Sequence, residues 1–279
     1  MVDSGIPPSL GIIAGQGQFP FLVARGAVKR GVTVVAAGFQ GHTSPELEHA
    51  VSAFSMLKLG QLEKLISFFR RHGVRDVVFA GSIEKPRALD IRPDFRAFKL
   101  LMKIKSTNDG ALLNGVAGEL TKEGVRIVSP LMFVPELTMG EGVLGKRGPT
   151  ASEQEDIAFG WAVGKELGRL DIGQTLVVKD RMVVAVEALE GTDATLKRAG
   201  ELLGGKGGVV IKIFKPDQDS RIDQPAVGVT TIGVMRAAGL SCLAAEAGQG
   251  LFFDREASLK LADEAGICVI GVKGEFIRF

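Results

Sequence analysis

A short apolar run at residues 10–14 ends in Gly15-Gln16-Gly17, and a helical apolar spacing follows at once. Phe21, Leu22, Val23, Ala27 and Val28 fall on one helix face, Pro20 suits the first turn, and Gly31 stops the helix before a second apolar run at residues 32–37. Strand, glycine turn, helix and strand make a βαβ unit, which lays its two strands parallel in one sheet. The alternation continues with a helix near residues 62–72 closed by Gly73, a strand at 77–80 ending in Gly81-Ser82, a helix at 108–119 and a strand at 126–128. Residues 9–133 are therefore expected to form a doubly wound, Rossmann-like α/β domain.

The pattern breaks over residues 129–150, where Pro130, Pro135, Gly140, Gly142, Gly145, Gly148 and Pro149 crowd together, and a linker is expected at 134–150. Ser152 with Glu155 three residues on then reads as a capping box, opening a helix through Ile157, Trp161, Val163 and Leu167. Strands are expected at 175–178 and 183–186, joined by Lys179-Asp180-Arg181, and again at 209–214 and 269–272. Helices are expected near 192–203, 230–239 and 258–265. Residues 151–279 are read as a second, mixed α/β domain, and residues 1–8 as a disordered tail.

Several function classes drop out. The 34 basic and 32 acidic residues leave a net charge of +2, too balanced for a chain-wide polyanion binder, and no basic stripe with interleaved aromatics favours nucleic acid. A hydrophobic share of 46% with 24% charged residues belongs to a folded chain rather than a disordered one. No apolar run approaches the roughly 18–20 residues a bilayer span needs, and no basic-then-apolar leader opens the chain. Cys242 and Cys268 are too few and too far apart for a metal cluster or a disulfide framework, which suits a reducing cytoplasm. His42, His49 and His72 lack metal-ligand spacing, no Gly-x-Ser-x-Gly elbow occurs, and Gly204-Gly205-Lys206-Gly207-Gly208 lacks the Lys-Ser/Thr of a P-loop. That glycine run reads as a flexible loop.

Gly15, Gln16 and Gly17, between a strand and a helix, offer backbone N–H groups and a positive helix end, a seat for a phosphate. The plainer reading is a tight turn with no ligand. A nicotinamide site is argued against by Pro20, where a third glycine is wanted, and by Ala36-Ala37-Gly38-Phe39, which lacks an acid for a ribose hydroxyl.

Three polar stretches follow apolar runs in the second half: Leu170-Asp171-Ile172-Gly173-Gln174, the segment from Glu187 through Glu190 and Thr192 to Asp193, and the segment from Lys212 through Asp223 to Pro225. Carboxylates at strand ends make hard oxygen sites for Mg²⁺, and adjacent Lys and Arg suit phosphate oxygens. Together they are what phosphoryl transfer asks for. Glu187 and Glu190 would face opposite ways if the strand continues. Each residue also has a plainer reading. Thr192 or Asp193 could cap a helix, Asp217 and Asp219 could be loop acids around Pro216, Arg221 and Asp223 a surface ion pair, and Lys212 a strand lysine snorkelling to solvent.

These same stretches are similar to the long C-terminal signatures of a known family, and the segment from Gly11 to Pro20 matches its N-terminal one. The chain resembles, over nearly its whole length beyond Pro8, the UDP-2,3-diacylglucosamine pyrophosphatases of lipid A biosynthesis, in the version unrelated to calcineurin-like phosphoesterases. The resemblance implies Mg²⁺-dependent hydrolysis of UDP-2,3-diacylglucosamine to 2,3-diacylglucosamine 1-phosphate (lipid X) and UMP, by water attack at the phosphorus on the lipid-sugar side. It further implies two domains with a substrate cleft between them, a homodimer, and a cytoplasmic enzyme able to meet the inner membrane peripherally. Asp223 would be the essential acid, with Asp193 and Glu190 as further catalytic acids. Asp223, Glu187 and Asp219 would hold Mg²⁺. Lys212, Lys215 and Arg221 would clamp the diphosphate, and Gln174, Thr192, Gln218 and the loop Gly15, Gln16 and Gly17 would complete the substrate contacts. The acyl chains would need an apolar groove, such as helices with exposed Phe or Leu supply. A non-catalytic nucleotide-sugar or lipid-binding protein is the alternative, and turnover separates the two.

Overall fold

The computed structural model describes residues 5–83, 93–104, 109–215 and 219–274. Residues 1–4 of the expected tail, and Pro216, Asp217 and Gln218 of the site stretch, lie outside the described residues. The chain divides into two compact units, one of Met1–Glu136 with Asp219–Asp223, the other of Leu137–Gln218 with Gln224–Phe279.

The first unit contains β1 (Ser9–Ala14), α1 (Phe19–Val28), β2 (Thr33–Phe39), β3 (Ala53–Leu57), α2 (Leu62–Arg71), β4 (Asp76–Ala80), α3 (Phe95–Lys103), α4 (Asp109–Lys122) and β5 (Arg126–Ile127). Its sheet runs β3-β2-β1-β4-β5 with every pairing parallel. Strands buried on both faces need continuous apolar runs, and β1 and β4 supply them. Chain order reverses direction between β1 and β4, the point at which such sheets open a crevice at their carboxyl ends. Gly11 sits at the centre, where a Cβ would lie 2.8 Å from Phe69 and 2.9 Å from Val77. Near the amino end, Pro7 is buried and the Pro8 carbonyl accepts from Thr33 N–H at 3.1 Å.

The second unit contains β6 (Gly142–Val143), α5 (Ala151–Arg169), β7 (Thr175–Lys179), β8 (Met182–Val186), α6 (Thr192–Leu203), β9 (Val209–Lys212), β10 (Ala226–Val227), α7 (Val229–Ala237), β11 (Cys242–Glu246), β12 (Leu251–Phe252), α8 (Arg255–Glu264) and β13 (Cys268–Val272). Its six-stranded sheet runs β6-β13-β11-β9-β7-β8. The strands β9, β11 and β13 are parallel, while β7, β8 and β6 join antiparallel. The pleat sorts the core into two faces. Val177, Val210, Leu243 and Val269 pack with Leu196, Ile232, Met235 and Ala262 from α6, α7 and α8. Leu176, Val178, Val209, Ile211 and Ile270 pack on the other face with Ile157 and Trp161 of α5.

The stretch read as a linker lies mostly in the second unit. Gly142 and Val143 pair with β13, and Arg147 reaches Glu153 through two bonds of 2.8 Å, Gly266 O at 2.7 Å and Ser241 O at 2.5 Å. The cap of α5 also differs from the expected one. Thr150 Oγ1 accepts from Glu153 N–H at 3.2 Å and Glu153 Oε2 accepts from Thr150 N–H at 2.9 Å, so Ser152 and Glu155 fall inside the helix. Burial alone would raise the Glu153 pKa. The Arg147 guanidinium, the Thr150 N–H and the Ser241 hydroxyl overcome that and hold it down at about 2. A carboxyl depressed on folding adds stability that is complete above its unfolded value of 4.5 and fades as pH falls towards 2. Glu153→Gln is expected to cost about 2–3 kcal/mol at pH 7. Urea titrations of both proteins should show that gap narrowing from pH 5 down towards pH 2.

Candidate active site at the carboxyl edge of the second sheet

Lys212 ends β9, Val186 ends β8 and Glu246 ends β11, while the antiparallel β7 starts at the same edge, with Thr175 in register with Lys212. Lys212 is only 4% exposed, so it does not snorkel to solvent. Its Nζ donates to Thr192 Oγ1 at 3.0 Å and approaches Thr175 Oγ1 at 3.4 Å. Thr192 Oγ1 in turn donates to Glu187 Oε1 at 3.0 Å. An ammonium and a carboxylate are thus joined through one hydroxyl, in a place that excludes most water. Glu187 Oε2 is buried with no partner, as is Oε1 of Gln174, the residue before Thr175. A buried acceptor without a donor costs about 1–3 kcal/mol, which a donor or cation at that place would relieve.

Local backbone explains how these side chains converge. β8 stops at Val186, so Glu187 and Glu190 do not alternate along one strand as a continuing β8 would have them. Glu187 N–H still donates to Thr175 O at 2.9 Å, which carries the chain one residue past the strand. Gly173 packs against that turn so closely that a Cβ would stand 2.0 Å from Glu187 O. The N-cap of α6 is Gly191, at φ +81°, not Thr192 or Asp193. The Thr192 hydroxyl is thereby left to bridge Lys212 and Glu187, and Asp193 is exposed in the first turn, where a negative charge suits the helix dipole.

Other expected site residues are engaged elsewhere. Glu190 accepts from Arg198 at 2.6 Å and from Ala188 N–H at 3.1 Å. Its own N–H and Arg198 hold the carboxyl below the usual range. Lys215 Nζ pairs with Asp171 at 2.8 Å. In the segment that belongs to the first unit, Arg221 pairs with Asp219 at 2.6 Å and 2.9 Å, in place of the ion pair with Asp223 considered from sequence. The Arg221 hydrogen bond holds the Asp219 carboxyl below its ordinary value. Ile222 packs against the first unit's core, Arg221 Nη1 reaches Ile127 O at 3.4 Å, and Asp223 N–H donates to Asp219 O at 3.1 Å. Asp223 is exposed on this turn.

The glycine loop has fewer donors to offer than the sequence suggests. Gly15 N–H donates to Ala80 O at 2.8 Å and Gln16 N–H to Ser82 O at 2.7 Å, and a Cβ on Gly15 would lie 2.4 Å from Ser82 O. Close strand packing therefore accounts for Gly15 and occupies two of the N–H groups expected to receive phosphate. Gln16 instead projects its amide to His42 Nδ1 at 3.3 Å, at the carboxyl ends of β1 and β2. Sequence reasoning set His42 aside for lack of metal-ligand spacing. It also missed Glu246, which accepts from Lys165 Nζ at 2.7 and 2.8 Å and from Phe214 N–H at 2.7 Å, fixing the residue before Lys215.

Among the described residues no group of three or more His, Cys, Asp or Glu side chains stands close enough to hold a metal ion. Glu187 Oε2 fits a divalent cation in one respect: it is a buried, hard, unpartnered carboxylate oxygen. Asp219 fits less well while Arg221 holds it.

Comparison with known proteins gives a consistent family. A model described as the LpxI N-terminal domain matches residues 9–137, and one described as the LpxI C-terminal domain matches residues 140–270. The UDP-2,3-diacylglucosamine pyrophosphatase LpxI of Caulobacter vibrioides is 37% identical over 273 residues, spanning 94% of this chain and 97% of its own length. Among solved structures, CobK precorrin-6A reductase covers 98% of this chain and 90% of its own at 12% identity, with a TM-score of 0.33. A biotin carboxylase domain of a thermophilic 2-oxoglutarate carboxylase covers 61% and 34% at 13% identity, with a TM-score of 0.27. Scores that low carry no conclusion.

Proposed function

The chain belongs to the LpxI family, and from that premise we infer that it hydrolyses the pyrophosphate bond of UDP-2,3-diacylglucosamine, a step of lipid A biosynthesis. The products are 2,3-diacylglucosamine 1-phosphate (lipid X) and UMP. A water oxygen bonds to the phosphorus on the lipid-sugar side, the bond from that phosphorus to the bridging oxygen breaks, and UMP departs with the bridging oxygen.

The observation that carries the reading is the buried Lys212–Thr192–Glu187 relay with the unpartnered Glu187 Oε2. A diphosphate brings negative oxygens that a dehydrated ammonium attracts far more strongly than water-exposed lysine would. Lys212 clamps one phosphoryl group, Thr192 relays the orientation, and Gln174 turns its carbonyl towards a hydroxyl of sugar or ribose. Lys215, Arg221 and Gln218 add contacts to the diphosphate and sugar. Asp223 accepts the proton of the attacking water, with Asp193 and Glu190 as outlying acids. Glu187 Oε2 would offer Mg²⁺ an oxygen in this reading, Asp223 and Asp219 would be the other carboxylate candidates, Asp219 only once Arg221 releases it, and the ion would supply charge neutralisation on the phosphoryl oxygens. The enzyme works in the cytoplasm as a homodimer and meets the membrane peripherally.

The deciding experiment is UMP release from UDP-2,3-diacylglucosamine dispersed in detergent, with Mg²⁺ and with EDTA. Release that falls at least about tenfold with EDTA and returns with Mg²⁺ is expected. Substrate binding without turnover under either condition would make the chain a binding protein.

A further inference from the structure

Helix α3 carries two apolar stripes, and only one of them is used by the fold. Ala97 and Leu100 face the core of the first unit. On the far side Phe95 is 73% exposed, Phe98 52%, Leu101 41% and Met102 74%. At about 100° per residue these four span an arc of roughly 120°, with Lys99 about 40° beyond one edge of it and Lys103 about 80° beyond the same edge. Both lysines are exposed, and Lys99 Nζ lies 4.3 Å from the Phe95 ring centroid, over the aromatic face. Exposed large apolar residues elsewhere in the described chain are mostly scattered singly, whereas here four fall within eight residues. Arg96 belongs to the other side of the helix, held by Glu63, Glu119 and Glu123.

We propose that the outer face of α3 is a membrane-docking surface that lies in the interface of an anionic lipid bilayer, with Phe95, Phe98, Leu101 and Met102 among the acyl chains and Lys99 and Lys103 on the headgroups. An interfacial helix needs an apolar face bordered by cations whose stems can reach back to the headgroup level. α3 places its two lysines beyond one edge of the apolar arc, with Lys99 the nearer. Charge decides the occupant. A second copy of this chain would have to bring its own lysines towards these, or find acids for them, whereas anionic headgroups pair with Lys99 and Lys103 directly. The proposal rests on the reading of the substrate as a diacylated lipid, which resides in a bilayer and must be collected there. No helix of the described chain is long and apolar enough to cross a membrane, so collection from a surface falls to a face of this kind.

The test is co-sedimentation of the full chain with vesicles of phosphatidylcholine alone or mixed with phosphatidylglycerol, with no substrate present. Binding to the mixed vesicles that weakens with salt is expected, together with a loss of at least about tenfold in the double variant Phe95→Ser/Met102→Ser. Lys99→Glu/Lys103→Glu should lose binding to the anionic vesicles alone. Unchanged melting of each variant confirms that α3 still folds, and its turnover on detergent-dispersed substrate should match the parent, which separates this surface from the catalytic reading. The proposal would be overturned by no vesicle binding by the parent chain, by equal binding by the serine variant, or by a shift from dimer to monomer in that variant. A raised KM on dispersed substrate with vesicle binding intact would do so too, by making the face a contact for the substrate's own acyl chains.

Discussion

Lys212→Met should lower UMP release by about 10²–10³-fold and should also lower the melting temperature by several degrees. Separate causes set the two losses. Methionine nearly matches lysine in length and volume, so packing is kept, but the exchange removes the cation and leaves the buried Glu187 carboxylate without it, which destabilises the fold. The hydroxyls adjust. Thr175 and Thr192 hydroxyls stand 3.3 Å apart and can pair with each other, and Thr192 retains Glu187 as its acceptor. Catalysis fares differently. The ammonium is buried and held by two hydroxyls, so it meets a phosphoryl group without the reorganisation that a solvated side chain needs. Loss should appear mainly in kcat, since the charge on the phosphoryl oxygens grows towards the transition state. Steady-state kinetics with thermal melting of both proteins reads the two effects apart. A variant within about threefold of the parent in kcat would remove Lys212 from the phosphate clamp.

Much of the framework is legible without coordinates because parallel strands buried on both faces must be continuously apolar. β1, β2 and β4 satisfy that rule and are punctuated by glycines, and so they stand out. β3 does not stand out, being a half-buried edge strand that carries Ser55 and Met56. β11 hides for another reason: its Cys-Leu-Ala-Ala-Glu is central and buried, yet it is short and built from small residues of weak strand preference. The two-residue strands β6, β10 and β12 have no period to read. The misplaced cap shows how local rules run out. Thr150-x-x-Glu153 and Ser152-x-x-Glu155 both satisfy the capping-box pattern, and the choice is made by Arg147, six residues before Glu153, and Ser241, 88 residues after it, which both claim Glu153.

The candidate site divides in the same way. Carboxylates and cations massed at strand ends are visible as composition. Which of them are committed to ordinary ion pairs is not. Glu190 goes to Arg198 and Asp219 to Arg221, over spacings of eight and two residues that sequence alone leaves unweighted. Gln16 with His42 and Lys165 with Glu246 are brought together by strand order, 26 and 81 residues apart, and no local pattern marks them.

Asp223→Asn should lower turnover by about 10³-fold or more. Amide for carboxylate keeps the shape. Arg221 grips Asp219, Ile222 enters the first unit's core, and the Asp223 N–H reaches Asp219 O, so the backbone of the turn is held by groups the exchange leaves in place. The chemistry distinguishes the two acids of this segment. Asp219 is held below its ordinary pKa by a guanidinium at 2.6 Å, which makes it a weaker base and ties its oxygens. Asp219→Asn should therefore cost far less activity than Asp223→Asn, and the ordering of the two variants is the informative quantity. In Asp223→Asn the loss should fall on kcat with KM nearly unchanged, because accepting the proton of water matters only as the bond to phosphorus forms. Equal losses in both variants would make the segment a structural unit. A larger loss in Asp219→Asn would reverse the assignment and give the proton to the acid that Arg221 orients.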